Sequence, residues 1–273
     1  MVRFGYFLTP EADPTRPLEL ARLADELGFD LIGVQDHPYQ RRFHDTWTLL
    51  AAIAMSTRRV SFFPDVASLP LRPPAVLGKA AATLDLLSGG RLELGLGAGA
   101  FWDAIEAMGG PRRSPGESIR ALEEAIQVIR LMWSDQPAVR FSGEFYQLGG
   151  VRPGPQPAHP IGIWLGVYKP RALALVGRQA DGWVPSLGYA TPEALSEGNR
   201  RIDEAAVEAG RDPARIRRVL NVMDSPEPGL LAELALERGM DTFVFAQGDE
   251  PADQLRRLAS EVIPRTRELL ERP

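Results

Sequence analysis

Residues 2–37 read VRFGYFLTPEADPTRPLELARLADELGFDLIGVQDH. Two short apolar runs, Val2–Leu8 and Leu31–Gln35, flank a longer segment of helical period at 17–28, and Leu27-Gly28 supplies the glycine stop that ends such a helix. Strand, helix and strand in that order form a βα unit, whose parallel strands are joined by a right-handed crossover. The alternation continues with strand candidates Val60–Val66, Leu92–Leu96, Ile161–Gly166, Gly182–Pro185, Ile216–Met223 and Thr242–Ala246. Helix candidates lie at 46–57, 74–87, 117–133, 170–180, 191–209, 229–239 and 251–271. Thr191-Pro192-Glu193 reads as a capped helix start and Arg238-Gly239 as another glycine stop. Eight such units close most economically into a (β/α)8 TIM barrel, with a doubly wound open sheet as the structural runner-up.

The rhythm breaks once, at residues 134–160, SDQPAVRFSGEFYQLGGVRPGPQPAHP, between the fourth helix and the fifth strand. Val139–Tyr146 reads as a small hairpin turning at Ser142-Gly143, followed by a stiff proline-rich connector. This insertion is too small to be a domain, so residues 1–273 are expected to form one.

Composition narrows the function. With 44% hydrophobic and 25% charged residues the chain has a globular balance. A net charge of −5 argues against general nucleic-acid binding, which needs basic stripes. The absence of cysteine excludes disulfides, thiolate metal sites and a cysteine nucleophile. The first residues carry too short an apolar run for a signal peptide, and no stretch approaches the ~20 apolar residues of a membrane span. A cytoplasmic protein acting on a small molecule, without nucleic acid or membrane, is expected.

Barrel active sites lie where the strands end, so the residues just after each strand carry the weight. Asp36-His37 follows the second strand, Asp65-Val66-Ala67-Ser68 the third, Gly97-Ala98-Gly99 the fourth and Tyr168-Lys169-Pro170-Arg171 the fifth. An imidazole beside a carboxylate suits proton transfer near neutral pH, though a turn-forming Asp with a partly buried His explains the dipeptide equally. The glycines after the fourth strand either admit a ligand to the backbone or simply shape a tight strand exit. Lys169 and Arg171 beside a proline-started helix fit an anion such as phosphate, or else a solvated basic helix start. His44 and His159 complete no metal set, and no metal is expected. Phe7, Phe101, Trp102 and Trp183 suggest an apolar pocket or ordinary core, while Trp47, Trp133 and Trp164 read as core.

In order along the chain stand GFDLIGVQDH at 28–37, LPLRPPAVLGK at 69–79, TLDLLSGGR at 83–91 running into LGLGAG at 94–99, FSGEFY at 141–146, Pro155-Gln-Pro157, and GRQADGW at 177–183. This ordered series resembles the luciferase-like monooxygenases and the related coenzyme-F420-dependent reductases over essentially the whole chain. The resemblance implies a barrel that binds a flavin-like ring in its mouth and holds the phosphate tail by backbone groups. By matching positions, Asp36 would contact the ring region and His37 would be the catalytic proton donor or a substrate-side polar group. Asp65-Val66 would form a bulged, non-prolyl cis peptide behind the ring. Ser68, Ala98, Gly99 and Asp103 would face the cofactor chain, and Tyr168, Lys169, Arg171 and Ala172 its phosphate.

Aspartate before the histidine resembles the F420 branch, whereas many FMN-using relatives carry glutamate there. The resemblance thus implies an F420-dependent oxidoreductase transferring a hydride to or from a small organic substrate, as a homodimer. Alternatives are a reduced-FMN monooxygenase acting with molecular oxygen and a non-enzymatic flavin or ligand carrier. Ala100 stands where sugar-phosphate dehydrogenases of the F420 branch have a catalytic glutamate, which argues against that activity. Tyr168-Lys169 replaces their glycine pair, which changes the surroundings of the phosphate.

Overall fold

A computed structural model of the protein describes residues 2–223 and 227–271. Residues 1, 224–226 and 272–273 of the expected 1–273 domain lie outside the described residues. The strands are β1 (Arg3–Leu8), β2 (Leu31–Val34), β3 (Ser61–Pro64), β4 (Ala67–Ser68), β5 (Leu94–Gly97), β6 (Val139–Ser142), β7 (Gln147–Val151), β8 (Ile163–Leu165), β9 (Gly182–Trp183), β10 (Arg217–Val222) and β11 (Thr242–Ala246). The helices are α1 (Arg16–Glu26), α2 (Thr46–Ser56), α3 (Pro74–Ser88), α4 (Trp102–Ala107), α5 (Pro115–Met132), α6 (Pro170–Gln179), α7 (Pro192–Glu208), α8 (Pro228–Leu236), α9 (Pro251–Arg257) and α10 (Ile263–Leu270).

The main sheet runs β3-β2-β1-β11-β10-β9-β8-β5-β4, and every strand pair in it is parallel. A parallel bridge from Phe62 to Leu92, just ahead of β5, brings its two ends together. The result is a TIM barrel whose third strand comes in two pieces. The lower piece, β3, pairs with β2, the upper piece, β4, pairs with β5, and the cis Asp65–Val66 peptide lies between them. The strand expected to run unbroken over Val60–Val66 therefore stops at Pro64. Inside the barrel, Phe7, Leu31, Phe63, Trp164, Val184, Val219 and Val244 pack into one apolar plug that fills the interior below the mouth.

The insertion at 134–160 stays outside the barrel sheet, with β6 and β7 forming a separate antiparallel pair. Its turn is longer than the sequence suggests and occupies 143–146, because the Glu124 carboxylate of α5 accepts the amides of Glu144, Phe145 and Tyr146 at 2.7, 2.9 and 3.1 Å. Three amides on one carboxylate hold the turn to the helix more firmly than a two-residue hairpin turn needs.

Helix starts follow local capping. Ser114 and Glu117 form a reciprocal capping box, so α5 begins at Pro115 instead of 117. Thr191 caps α7 as expected, and Gly28 and Gly239 adopt φ of 84° and 69°. The short α4 has no counterpart in the sequence reading, and the last expected helix is interrupted by a π turn at Leu258–Val262. Among the described residues, no helix is long and apolar enough to cross a membrane.

The closed lower end explains one run of sequence. Asp85 is buried and accepts the Leu92 amide together with the His159 amide and ring, while Arg91 donates to the carbonyls of Ala54, Thr57 and Val60. The segment 83–91 thus ties strands, helices and the end of the insertion together, away from the mouth.

Candidate active site

The loops that follow β2, β3, β5, β8, β9 and β10, together with β4 itself, surround a cavity of about 570 Å³ at the mouth of the barrel. Ligand pockets commonly span ~300–1,000 Å³. A second cavity of about 570 Å³ lies between the first turns of α1 and α9. There Asp13 accepts the Thr15 and Arg16 amides and Arg256 pairs with Asp253. The mouth holds buried polar atoms without partners, on Asp65 and Asn221.

Asp36 follows β2 and is buried. Its carboxylate accepts Arg72 Nε and Nη2, each at 2.7 Å, and the Ser68 amide at 3.0 Å. Arg72 also reaches Asp45 at 2.8 Å, and Asp45 caps α2 by accepting the Thr48 amide. One guanidinium therefore locks the loop after β2 to the segment after β4. Its fork matches the carboxylate at both nitrogens, which a lysine could not do.

That lock sets His37. Its Nδ1 lies 2.5 Å from the Tyr39 hydroxyl, and its ring meets Phe101 edge-on at 5.3 Å. Burial pushes the imidazole below its ordinary pKa, with the Asp36 charge opposing, so His37 is neutral near pH 7. Burial, with the Asp36 charge in support, raises Tyr39 to about 12, so its hydroxyl stays protonated. With Nδ1 engaged by Tyr39, Nε2 is the nitrogen left for a ligand. It gives a proton in one tautomer and takes one in the other.

The bulge between β3 and β4 forms part of the floor. Val66 sits among glycines, where a Cβ at Gly97 or Gly166 would lie 2.9 Å from its Cγ2 and one at Gly95 3.1 Å from Cγ1. Gly97 is therefore required by the bulge itself, whichever ligand binds, and Gly95 chiefly by the Pro64 carbonyl of β3, which a Cβ there would overlap. Gly99 is different, with φ of 101°, a conformation that side chains strongly disfavour. On the opposite side of the mouth, α6 starts at Pro170 with Lys169 as its N-cap and no side chain satisfying its first amides. This leaves uncapped backbone amides, with their positive potential, beside a cation.

Of the residues singled out in the sequence, Asp36, His37, Asp65, Val66, Ser68, Ala98, Gly99, Tyr168, Lys169 and Ala172 line this one mouth. Two do not. Asp103 lies on α4 with its side chain 97% exposed and paired with Arg112, because the helix turns Trp102 inward and Asp103 outward. Arg171 is exposed on the first turn of α6, outside the cavity wall. Phe7, Phe101 and Trp102 line the mouth, whereas Trp183 is buried against Gly198. The sequence reading missed Arg72, Tyr39, Ser186 and Asn221. Two of them left a signal, Arg72 by standing in the run LPLRPPAVLGK and Asn221 as a polar residue at the end of an otherwise apolar strand run, VLNV.

Residues 2–225 match the family described as luciferase-like monooxygenase. An F420-dependent glucose-6-phosphate dehydrogenase from Amycolatopsis mediterranei is 32% identical over 195 residues, 69% of this chain and 58% of that relative. The chain thus spans less than two thirds of that relative's length. Among solved structures, an F420-dependent secondary alcohol dehydrogenase in complex with an F420-acetone adduct superposes with a TM-score of 0.85 at 20% identity, covering 97% of this chain and 99% of the other. A riboflavin lyase with modified FMN and riboflavin superposes with a TM-score of 0.84 at 14% identity, covering 98% and 92%. At these identities the two structural likenesses establish the fold.

Proposed function

Since this chain belongs to the luciferase-like monooxygenase family, we propose that it is an F420-dependent oxidoreductase that moves a hydride between the deazaflavin and a small organic substrate. The carrying observation is the convergence, on one mouth of about 570 Å³, of the Val66 bulge, the neutral His37 and the Lys169 helix start. These fit a molecule with a broad ring at one end and an anion at the other. Val66, Ala98 and Gly99 would hold the ring and its chain, and Lys169 with the first amides of α6 would hold the phosphate. When bound, F420 supplies a two-electron carrier, which none of this chain's side chains provides. His37 Nε2 takes or gives the substrate proton that accompanies the two-electron change, while Asp36 and Arg72 hold its loop in place.

The relative at 32% identity supports F420, as does the aspartate at position 36. Ala100 puts no carboxylate at the rim, so the substrate proposed here is a small organic molecule other than a sugar phosphate. We further propose a cytoplasmic homodimer with residues 1–273 acting as one domain. Separate titrations of the purified protein with F420 and FMN test the cofactor. Tighter binding of F420 and substrate-dependent turnover are expected. Preference for FMN with oxygen consumption would replace this reading with the monooxygenase, and stoichiometric binding without turnover of any substrate would replace it with a carrier.

The anion end makes a separate prediction. Lys169→Ala removes one cation and leaves the amides of α6, so its effect should be partial. A charge-assisted hydrogen bond is worth about 1.5–3 kcal/mol, or roughly one to two decades in affinity. F420 and FMN should lose that much, and riboflavin, which has the ring without the phosphate, should lose little. Equal losses for all three, or no loss for any, would remove Lys169 from the phosphate site.

A further inference from the structure

Three aspartates are buried among the described residues, Asp36, Asp65 and Asp85. Asp36 has Arg72 and an amide, and Asp85 has His159 and two amides. Asp65 has neither a cation nor a backbone amide among the described residues. Its Oδ1 accepts Asn221 Nδ2 at 3.1 Å, and its Oδ2 is buried with no partner. Asn221 Oδ1 is buried and unpartnered as well. Both residues line the mouth, Asp65 beside the Val66 bulge and Asn221 at the end of β10, with Ser186 Oγ 3.4 Å from the Asn221 amide nitrogen.

Leaving a buried acceptor without a donor forfeits its solvation with nothing in return, and a buried carboxylate loses more. Two such oxygens on hydrogen-bonded neighbours are therefore hard to explain as packing. The fold also makes room for one of them, since a Cβ at Gly33 would lie 2.8 Å from Asp65 Oδ2. Burial raises the Asp65 pKa to about 7, against the lowering effect of Asn221, as befits a carboxyl with no cation beside it.

We propose that Asp65 and Asn221 form a specificity-determining subsite on the floor of the mouth that accepts a hydrogen bond from an N–H or O–H group of the bound molecule. The donor has two chemical sources, the imide N–H of a flavin-type ring or the hydroxyl of a separate small substrate. The ring source rests on the cofactor reading above, and the hydroxyl source does not. A mouth built this way rejects an isosteric ligand that lacks the donor, because the two oxygens then stay buried and unpaired.

Two matched pairs of probes separate the sources in calorimetric titrations of the full chain. Riboflavin against 3-methylriboflavin differs only at the ring imide, and phenol against anisole differs only at the hydroxyl. The wild-type protein is expected to prefer the donor-bearing member of at least one pair by tenfold or more, and Asp65→Ala to lose that preference. Asn221→Ala serves as the second variant should Asp65→Ala fail to fold, and it is expected to weaken the same preference. No discrimination within either pair, or discrimination that survives both substitutions, overturns the subsite. A protein that separates phenol from anisole yet binds neither F420 nor FMN keeps the subsite and loses the cofactor reading, so the two failures are distinguishable.

Discussion

Replacing His37 with alanine is expected to lower turnover by ~10²–10⁴-fold, the range typical of losing a positioned proton-transfer group. Cofactor affinity and folding should change far less, because Asp36 and Arg72 hold the loop without using the imidazole. The pH dependence follows from burial, which lowers the His37 pKa against the opposing Asp36 charge. Neutral imidazole therefore persists to lower pH than in an unfolded chain. If Nε2 acts as the base, its acid limb in the pH–rate profile lies below the ordinary imidazole value, and the alanine variant lacks that limb. Stability carries the same sign. Between the ordinary value and the lowered one the unfolded chain binds more protons, so stability falls as pH falls through that window. His37→Ala should flatten this part of the stability curve. Wild-type turnover in the variant, measured with whichever cofactor the titrations select, would reduce His37 to a turn residue.

The sequence disclosed the strand–helix period and the four loops that meet at the mouth because both are local. Val2–Leu8, Leu31–Gln35 and their successors are marked by composition over a few residues, and barrel closure follows from their number. What escaped was non-local. Arg72 finds Asp36 across 36 residues and Asn221 finds Asp65 across 156, and no spacing in the chain announces either pairing. The local run around Gly97 leaves ligand access and a tight strand exit both open, and what limits a side chain there is Val66, from the bulge between β3 and β4. The family resemblance implies Asp103 at the cofactor chain, and the short helix α4, which local sequence does not announce, turns it away. On a helix, neighbouring residues point about 100° apart, so Trp102 and Asp103 cannot both face the cavity.

Arg72→Ala is expected to be the most destabilising of the substitutions proposed here, at about 3–5 kcal/mol, the cost of stranding one member of a buried ion pair. Asp36 has no solvent-exposed side-chain surface and would keep only the Ser68 amide, while Asp45 would lose its cation as well. Arg72→Lys should recover only part of the loss, since an ammonium restores the charge but cannot present two parallel N–H groups to the carboxylate. Asp36→Asn separates the charge from the packing. With a neutral amide at position 36, removing the guanidinium strands no buried ion and leaves only the half-exposed Asp45 without its cation, so Arg72→Ala should cost far less in that background than in the wild type. Urea denaturation of the two single variants and the double variant measures this coupling directly. The mouth supplies a second readout, because the clamp joins the loop bearing His37 to the segment bearing Ser68. F420 affinity should fall in Arg72→Ala at temperatures where the variant is still folded. Strict additivity of the two substitutions, or a cost below about 1 kcal/mol for Arg72→Ala, would place the pair in the class of solvated surface contacts. It would also leave the position of His37 to be fixed by Tyr39 and Phe101 alone.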